Sequence, residues 1–173
     1  MTLSWSTRQK TDAGVVMQVL DDARVLTDFV EKEDGSARAV IGDEEWRFER
    51  EADCARASNA HVTYEARSAK PFKQSKEINT NVNLRDIDLI NEQKTDWILD
   101  ENDVKLGQFT GANHGVRRVS VELEPDAELE DSEKVFLAWV ARIALEEKMV
   151  ATNWILSISL LILSVFSLLV FLF

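Results

Sequence analysis

Apolar and polar side chains alternate through most of the first 123 residues, in short runs separated by turn signals. Residues Glu44–Glu49 set Trp46 and Phe48 against charged neighbours, and Val119–Leu123 alternates in the same way. A period of two gives a strand one buried and one wet face. The same reading predicts strands over Val15–Leu20, Arg24–Val30, Ala37–Ile41, His61–Arg67, Thr95–Leu99, Val104–Phe109 and Val116–Leu123. Asp34-Gly35 is a strong hairpin signal, and Asp100–Asp103 reads as a longer turn. The polar stretch Ser68–Asn83 reads as a long loop or irregular strand.

The pattern then changes twice. After the acidic connector Pro125–Ser132, with Asp131 or Ser132 available as an N-cap, residues 133–148 read EKVFLAWVARIALEEK. Val135–Ala141 would be apolar on every side of a helix, and such a helix has to be enclosed by protein. It is too short to cross a bilayer, so strands closed around one central helix satisfy both patterns. Beyond Lys148 no residue is ionisable, and Trp154–Phe173 is broken only by serines. About 20 such residues rising ~1.5 Å each cross a hydrocarbon core of about 30 Å, with Trp154 at the interface. The expected fold is therefore mainly β, a barrel with a buried C-terminal helix, followed by one transmembrane helix. Its segments are strands over 1–131, the central helix over 132–148 and a C-terminal anchor over 150–173.

The N-terminus, MTLSWSTRQKTDAGVV, has no continuous apolar run of the kind a signal peptide needs. The expectation is a tail-anchored, single-pass protein of the cell membrane, with its N-terminal domain in the cytoplasm. Lys148 and Arg142 are offset by Glu146 and Glu147, so loop charge adds little to the orientation.

Composition narrows the partners. The formal net charge is −11, all of it before the uncharged tail. So acidic a surface argues against nucleic acid and against general adhesion to an anionic leaflet. One cysteine, Cys54, permits no internal disulfide and suits a reducing compartment.

The layout resembles the tubby C-terminal-like superfamily, in particular its small LURP-one-related and phospholipid-scramblase-like barrels. The segments that carry the resemblance are GDEEWRFERE (residues 42–51), VKLGQFTG (104–111) and SEKVFLAWVARIALEEK (132–148). It implies twelve strands closed around a hydrophobic C-terminal helix. Eight are visible here, which places the others in residues 52–94. Larger tubby proteins bind phosphoinositides through basic residues, and scramblases are proposed to move lipid. Neither activity transfers here residue by residue.

No catalytic, cofactor-binding or metal-binding constellation is apparent. His61 and His114 are isolated, and the glycines of residues 107–115 lack a phosphate-loop pattern. The acidic runs Asp21-Asp22 and Glu128–Asp131 read as solvated faces. Two features remain. Arg67, Lys70, Lys73 and Lys76 cluster around Phe72, either as a hydrated loop or as a contact for lipid headgroups or an acidic partner. In the anchor, Ser157, Ser164 and Ser167 fall along one helical stripe, either bonding back to their own helix or admitting a close neighbour helix. The leading expectation is a non-catalytic accessory subunit without cofactors, docked on a larger membrane protein complex by its anchor and cytoplasmic domain. Its layout and size resemble small accessory proteins of bacterial respiratory supercomplexes. The alternative is a protein that binds or handles anionic lipid.

Overall fold

A computed structural model describes residues 1–93, 95–111, 119–146 and the isolated Leu163. Thirteen strands precede one helix, α1, over residues 131–146. The strands are β1 (Thr2–Trp5), β2 (Gln9–Thr11), β3 (Gly14–Asp21), β4 (Arg24–Glu31), β5 (Ala37–Ile41), β6 (Glu44–Arg50) and β7 (Cys54–Ser58). They continue with β8 (Thr63–Arg67), β9 (Glu77–Val82), β10 (Arg85–Gln93), β11 (Asp96–Glu101), β12 (Val104–Thr110) and β13 (Ser120–Leu123).

From β3 to β13 each strand pairs antiparallel with the next, and β1 closes the ring by pairing with both β13 and β3. The result is a twelve-stranded barrel, with the three-residue β2 continuing β1 along the edge of β3. Barrel width grows with strand number, and eight strands leave room only for side chains. Twelve leave room for a helix about 10–12 Å across, and α1 fills that lumen.

Inward positions are matched in size around the ring. β5 presents Ala37 and Ala39, β6 Trp46 and Phe48, and β7 Ala55 and Ala57. Ala37 lies opposite Phe48, and Ala57 lies between Phe48 and Tyr64 on its two neighbours. Small strands between large ones let the wall accept the bulky face of α1 without voids. On that face Trp139 packs edge-on against Phe48 at 5.2 Å between ring centroids, and Phe136 lies 5.7 Å from Tyr64. Every residue from Glu133 to Leu145 is buried, as the apolar run predicts for Val135–Ala141, and the charged Glu133, Lys134 and Arg142 are buried with it.

The sequence-predicted strands are present to within a few residues, apart from residues 116–118, which lie outside the described set. β1, β2, β7, β9 and β10 are additional. β9 lies inside the stretch read as a long loop or irregular strand, and three of these five fall within residues 52–94. The strand that completes the ring, β1, is instead at the N-terminus. Asp34-Gly35 does turn the chain, with Gly35 at φ +83°. The Asp100–Asp103 turn is tighter than expected. Strands run through Glu101 and Val104, and Asn102 and Asp103 both take positive φ, as a two-residue primed turn requires.

Among the described residues no helix is long and apolar enough to cross a membrane. The expected anchor, 150–173, lies outside the described residues except for Leu163, which is helical and exposed.

Candidate functional site

In an antiparallel meander alternate turns share an end, so the barrel has two distinct ends. At the entry end, where α1 begins, lie the turns at Asp22, Asp43, His61, Asn83 and Asn102. At the exit end, where α1 stops, lie the connections at Asp34, Asp53, Lys73 and Thr95.

The entry end is fastened by charge. Lys134, buried on α1, donates to Asp21 Oδ2 at 2.9 Å. Arg24 holds Asp131 with two bonds of 2.8 and 2.7 Å and approaches Asp21 at 3.4 Å. Arg85 grips both oxygens of Glu101 at 2.7 Å and donates to the Glu128 carbonyl at 2.7 Å. These guanidiniums hold the Asp131 and Glu101 carboxyls below the ordinary carboxylate range. Burial instead pushes the Glu133 carboxyl up.

Asp21 and Asp131 are thus tied into the collar and depart from the reading of their runs as solvated faces, whereas Asp22, Glu128 and Glu130 are exposed as that reading expects. The helix cap also differs from expectation. Lys134 N–H donates to Glu130 O, and Glu130 N–H donates to the Glu133 carboxylate at 2.9 Å. Glu130 therefore caps the helix, with Glu133 reaching back in a capping-box manner, while Asp131 is occupied by Arg24.

Outside this collar the entry end is acidic and apolar together. Glu124–Asp131, Asp43–Glu45 and Asp100–Asp103 crowd carboxylates there. Among them stand Leu84 (95 % exposed, φ +68°), Val104 and Val40. A leucine in left-handed backbone costs conformational energy, and here it projects an apolar side chain from the tip of the β9–β10 turn.

The exit end carries the basic loop. Phe72 is buried and its N–H donates to Ala52 O at 2.8 Å, which ties the loop to the barrel rim. Around that anchor Lys70, Lys73 and Lys76 are exposed. Arg67 is exposed as well. It bonds Glu65, which also takes Arg56 at 2.7 Å, and the two guanidiniums lower the Glu65 pKa to about 2. The four cations are thus three exposed lysines and one exposed arginine that shares the Glu65 carboxylate with Arg56 on the barrel wall.

The exit end also holds a bulge in the wall that the sequence did not announce. The three residues Ser6–Arg8 stand opposite the two residues Met17 and Gln18 of β3. Ser6 completes this bulge with its side chain, as Gln18 N–H donates to its Oγ at 2.8 Å. The resulting notch is lined by Trp5, Ser6, Thr7, Arg8, Met17, Val119 and Arg142, around a cavity of about 570 Å³.

No other predicted chemistry assembles. His61 is exposed at a turn, and among the described residues no three His, Cys, Asp or Glu side chains gather around a metal position. Burial pushes the Cys54 thiol up, away from a thiolate. His114, Ser157, Ser164 and Ser167 lie outside the described residues. Comparison with protein families, curated proteins and solved structures finds no match to this chain. The structure shows a barrel of twelve strands with one C-terminal helix.

Proposed function

We propose that this protein is a membrane-tethered, non-catalytic docking module of tubby-like architecture, an accessory subunit of a larger membrane protein complex. The observation that carries the reading is the polarity of the barrel. The chain leaves α1 at the exit end, toward the uncharged segment 149–173, and Lys70, Lys73 and Lys76 project from that same end. With 150–173 as a transmembrane helix, the lysines face the headgroups, and the acidic, apolar entry end points into the cytoplasm. Carboxylates interleaved with Leu84, Val104 and Val40 suit a basic partner with apolar anchors, where charge sets specificity and approach rate. The helix stripe Ser157, Ser164 and Ser167 would supply the contact within the bilayer.

The test is co-purification of the full chain with its complex in mild detergent. Replacing Asp43, Glu44 and Glu45 by Asn, Gln and Gln, and Leu84 by Ser, should lower recovery at least threefold. Replacing Ser157 and Ser164 by Leu should also lower it. Undiminished recovery in both variants overturns the docking role.

A second reading has its own observation, the three unpaired lysines at the exit end. Each contributes about 1 kcal/mol near an anionic surface. If anionic lipid is the true target, a chain truncated at residue 149 will float with anionic vesicles at physiological salt. That binding would vanish with Lys70, Lys73 and Lys76 replaced by Gln.

A further inference from the structure

We infer that the entry end is one ring-shaped docking surface for a folded, basic protein whose contact spans all five entry-end hairpins. The inference rests on the docking role proposed above and adds the extent of the contact and the build of the partner. Each hairpin carries one exposed apolar side chain at or next to its turn: Val25 on β3–β4, Val40 on β5–β6, Val62 on β7–β8, Leu84 on β9–β10 and Val104 on β11–β12. These five are 38–95 % exposed. Met1, whose carbonyl accepts from Leu123 N–H, stands at the same rim. Elsewhere the described barrel exposes one large apolar residue, Ile90, at 36 %. Single exposed apolar side chains scattered over a surface are ordinary, whereas a set gathered on one face among polar groups marks an interaction site.

The fold does not account for the ring, since none of the five belongs to the core. Leu84 is held there against its own preference. It has φ +68° beside Asn83 at φ +50°, in a tight turn that glycine or asparagine would make at lower cost.

Size and charge define the occupant. Strands about 4.8 Å apart and tilted about 40° give a twelve-stranded ring roughly 24 Å across, and with side chains an end face of about 800 Å². That is about the area one partner contributes to a standard interface of roughly 1,600 Å². One folded protein seated on the mouth therefore reaches every hairpin, while a single extended peptide crosses it and misses part of the ring. The collar cations are already paired within the barrel: Arg24 with Asp131, Arg85 with Glu101 and Lys134 with Asp21. Asp126, Glu128 and Glu130 are exposed on the connector that leads from β13 to α1, and make no ion pair among the described residues. A second copy docking end to end would oppose these carboxylates to their own kind, and an anionic leaflet would be repelled by them. The partner that fits presents Lys or Arg to the connector and apolar surface to the ring around it.

The test replaces Val25, Val40, Val62, Leu84 and Val104, one at a time, by the photocrosslinker p-benzoylphenylalanine in the full chain within intact cells. Lys73 replaced likewise is the exit-end control. All five ring sites should yield an adduct of the same polypeptide, at least fivefold above the Lys73 site. Asp126→Asn, Glu128→Gln and Glu130→Gln together should lower the yield at every ring site at least threefold. Adducts from some hairpins and not others would overturn the ring while leaving a local docking contact standing. An adduct with a second copy of this chain or with lipid, or a yield indifferent to the three carboxylates, would overturn the basic partner. No adduct from any ring site would overturn both the ring and the docking role.

Discussion

The two ends of the central helix hold the same residue types in different settings. At the entry end each charge on α1 faces an opposite charge on the wall: Lys134 bonds Asp21, Asp131 bonds Arg24, and Glu133 lies 3.6 Å from Arg85. At the exit end Arg142 is as deeply buried, and it sits beside a bulged seam. Each end leaves one buried polar atom without a partner, Asp21 Oδ1 and Arg142 Nη1. The ends of this sixteen-residue helix, 131–146, therefore differ in setting rather than in pairing: a charged collar at one, a bulged seam beside a cavity at the other.

The largest expected effect lies between the ends and sets the scale. Trp139 contacts Phe29, Phe48 and Phe136 at the centre of the lumen. Trp139→Ala should destabilise the protein by about 3–5 kcal/mol in denaturant unfolding, the range for emptying a packed aromatic. A loss under ~1 kcal/mol would show that the helix is not held by the wall, and the comparison of its ends would then mean little.

The next tests the claim that the entry end fastens. Lys134→Ala leaves buried Asp21 with only the longer 3.4 Å contact to Arg24, and Asp21 Oδ1 already lacks a partner. Removing one member of a buried pair costs about 3 kcal/mol or more. Replacing exposed Lys73 at the exit end should change stability by less than ~0.5 kcal/mol. Similar costs for the two lysines, read from the same unfolding curves, would erase the distinction.

The smallest effect concerns acid. Asp131 and Glu101 are held low by Arg24 and Arg85, so their contribution is present above the unfolded carboxylate pKa and lost as pH falls through the folded value. Glu133 is held high by burial, so its protonation favours the folded state and offsets part of that loss. Amide exchange in the first turn of α1 should therefore quicken modestly between about pH 5 and pH 3. Slower exchange over that range would mean that Glu133 dominates the collar.

How much of this was legible beforehand depends on the residue. Trp46 and Phe48 alternate with charges, so β6 announces itself. The run Val135–Leu145 has no polar face, and only enclosure by protein could accommodate it. β7 was silent because its inward residues are Ala55 and Ala57, which carry little strand preference by themselves. They become necessary only once Phe48 and Tyr64 are known to flank them. β9 was silent for a related reason. Asn79 and Asn81 look like loop residues, but their side chains bond Asp88 and Asp86 across the hairpin. The basic cluster was legible as composition, whereas the pairing of Arg67 with Glu65 was not.

The sequence by itself determined the strand periodicity, the enclosed helix and the uncharged tail, because each is written in spacing along a single segment. Tertiary structure alone decided which charges are spent on fastening, where the wall bulges, and that the lysines and the helix exit share an end. Those are relations between segments up to 138 residues apart, as for Arg8 and Glu146, and no local pattern of apolar and polar positions encodes a partner at that distance.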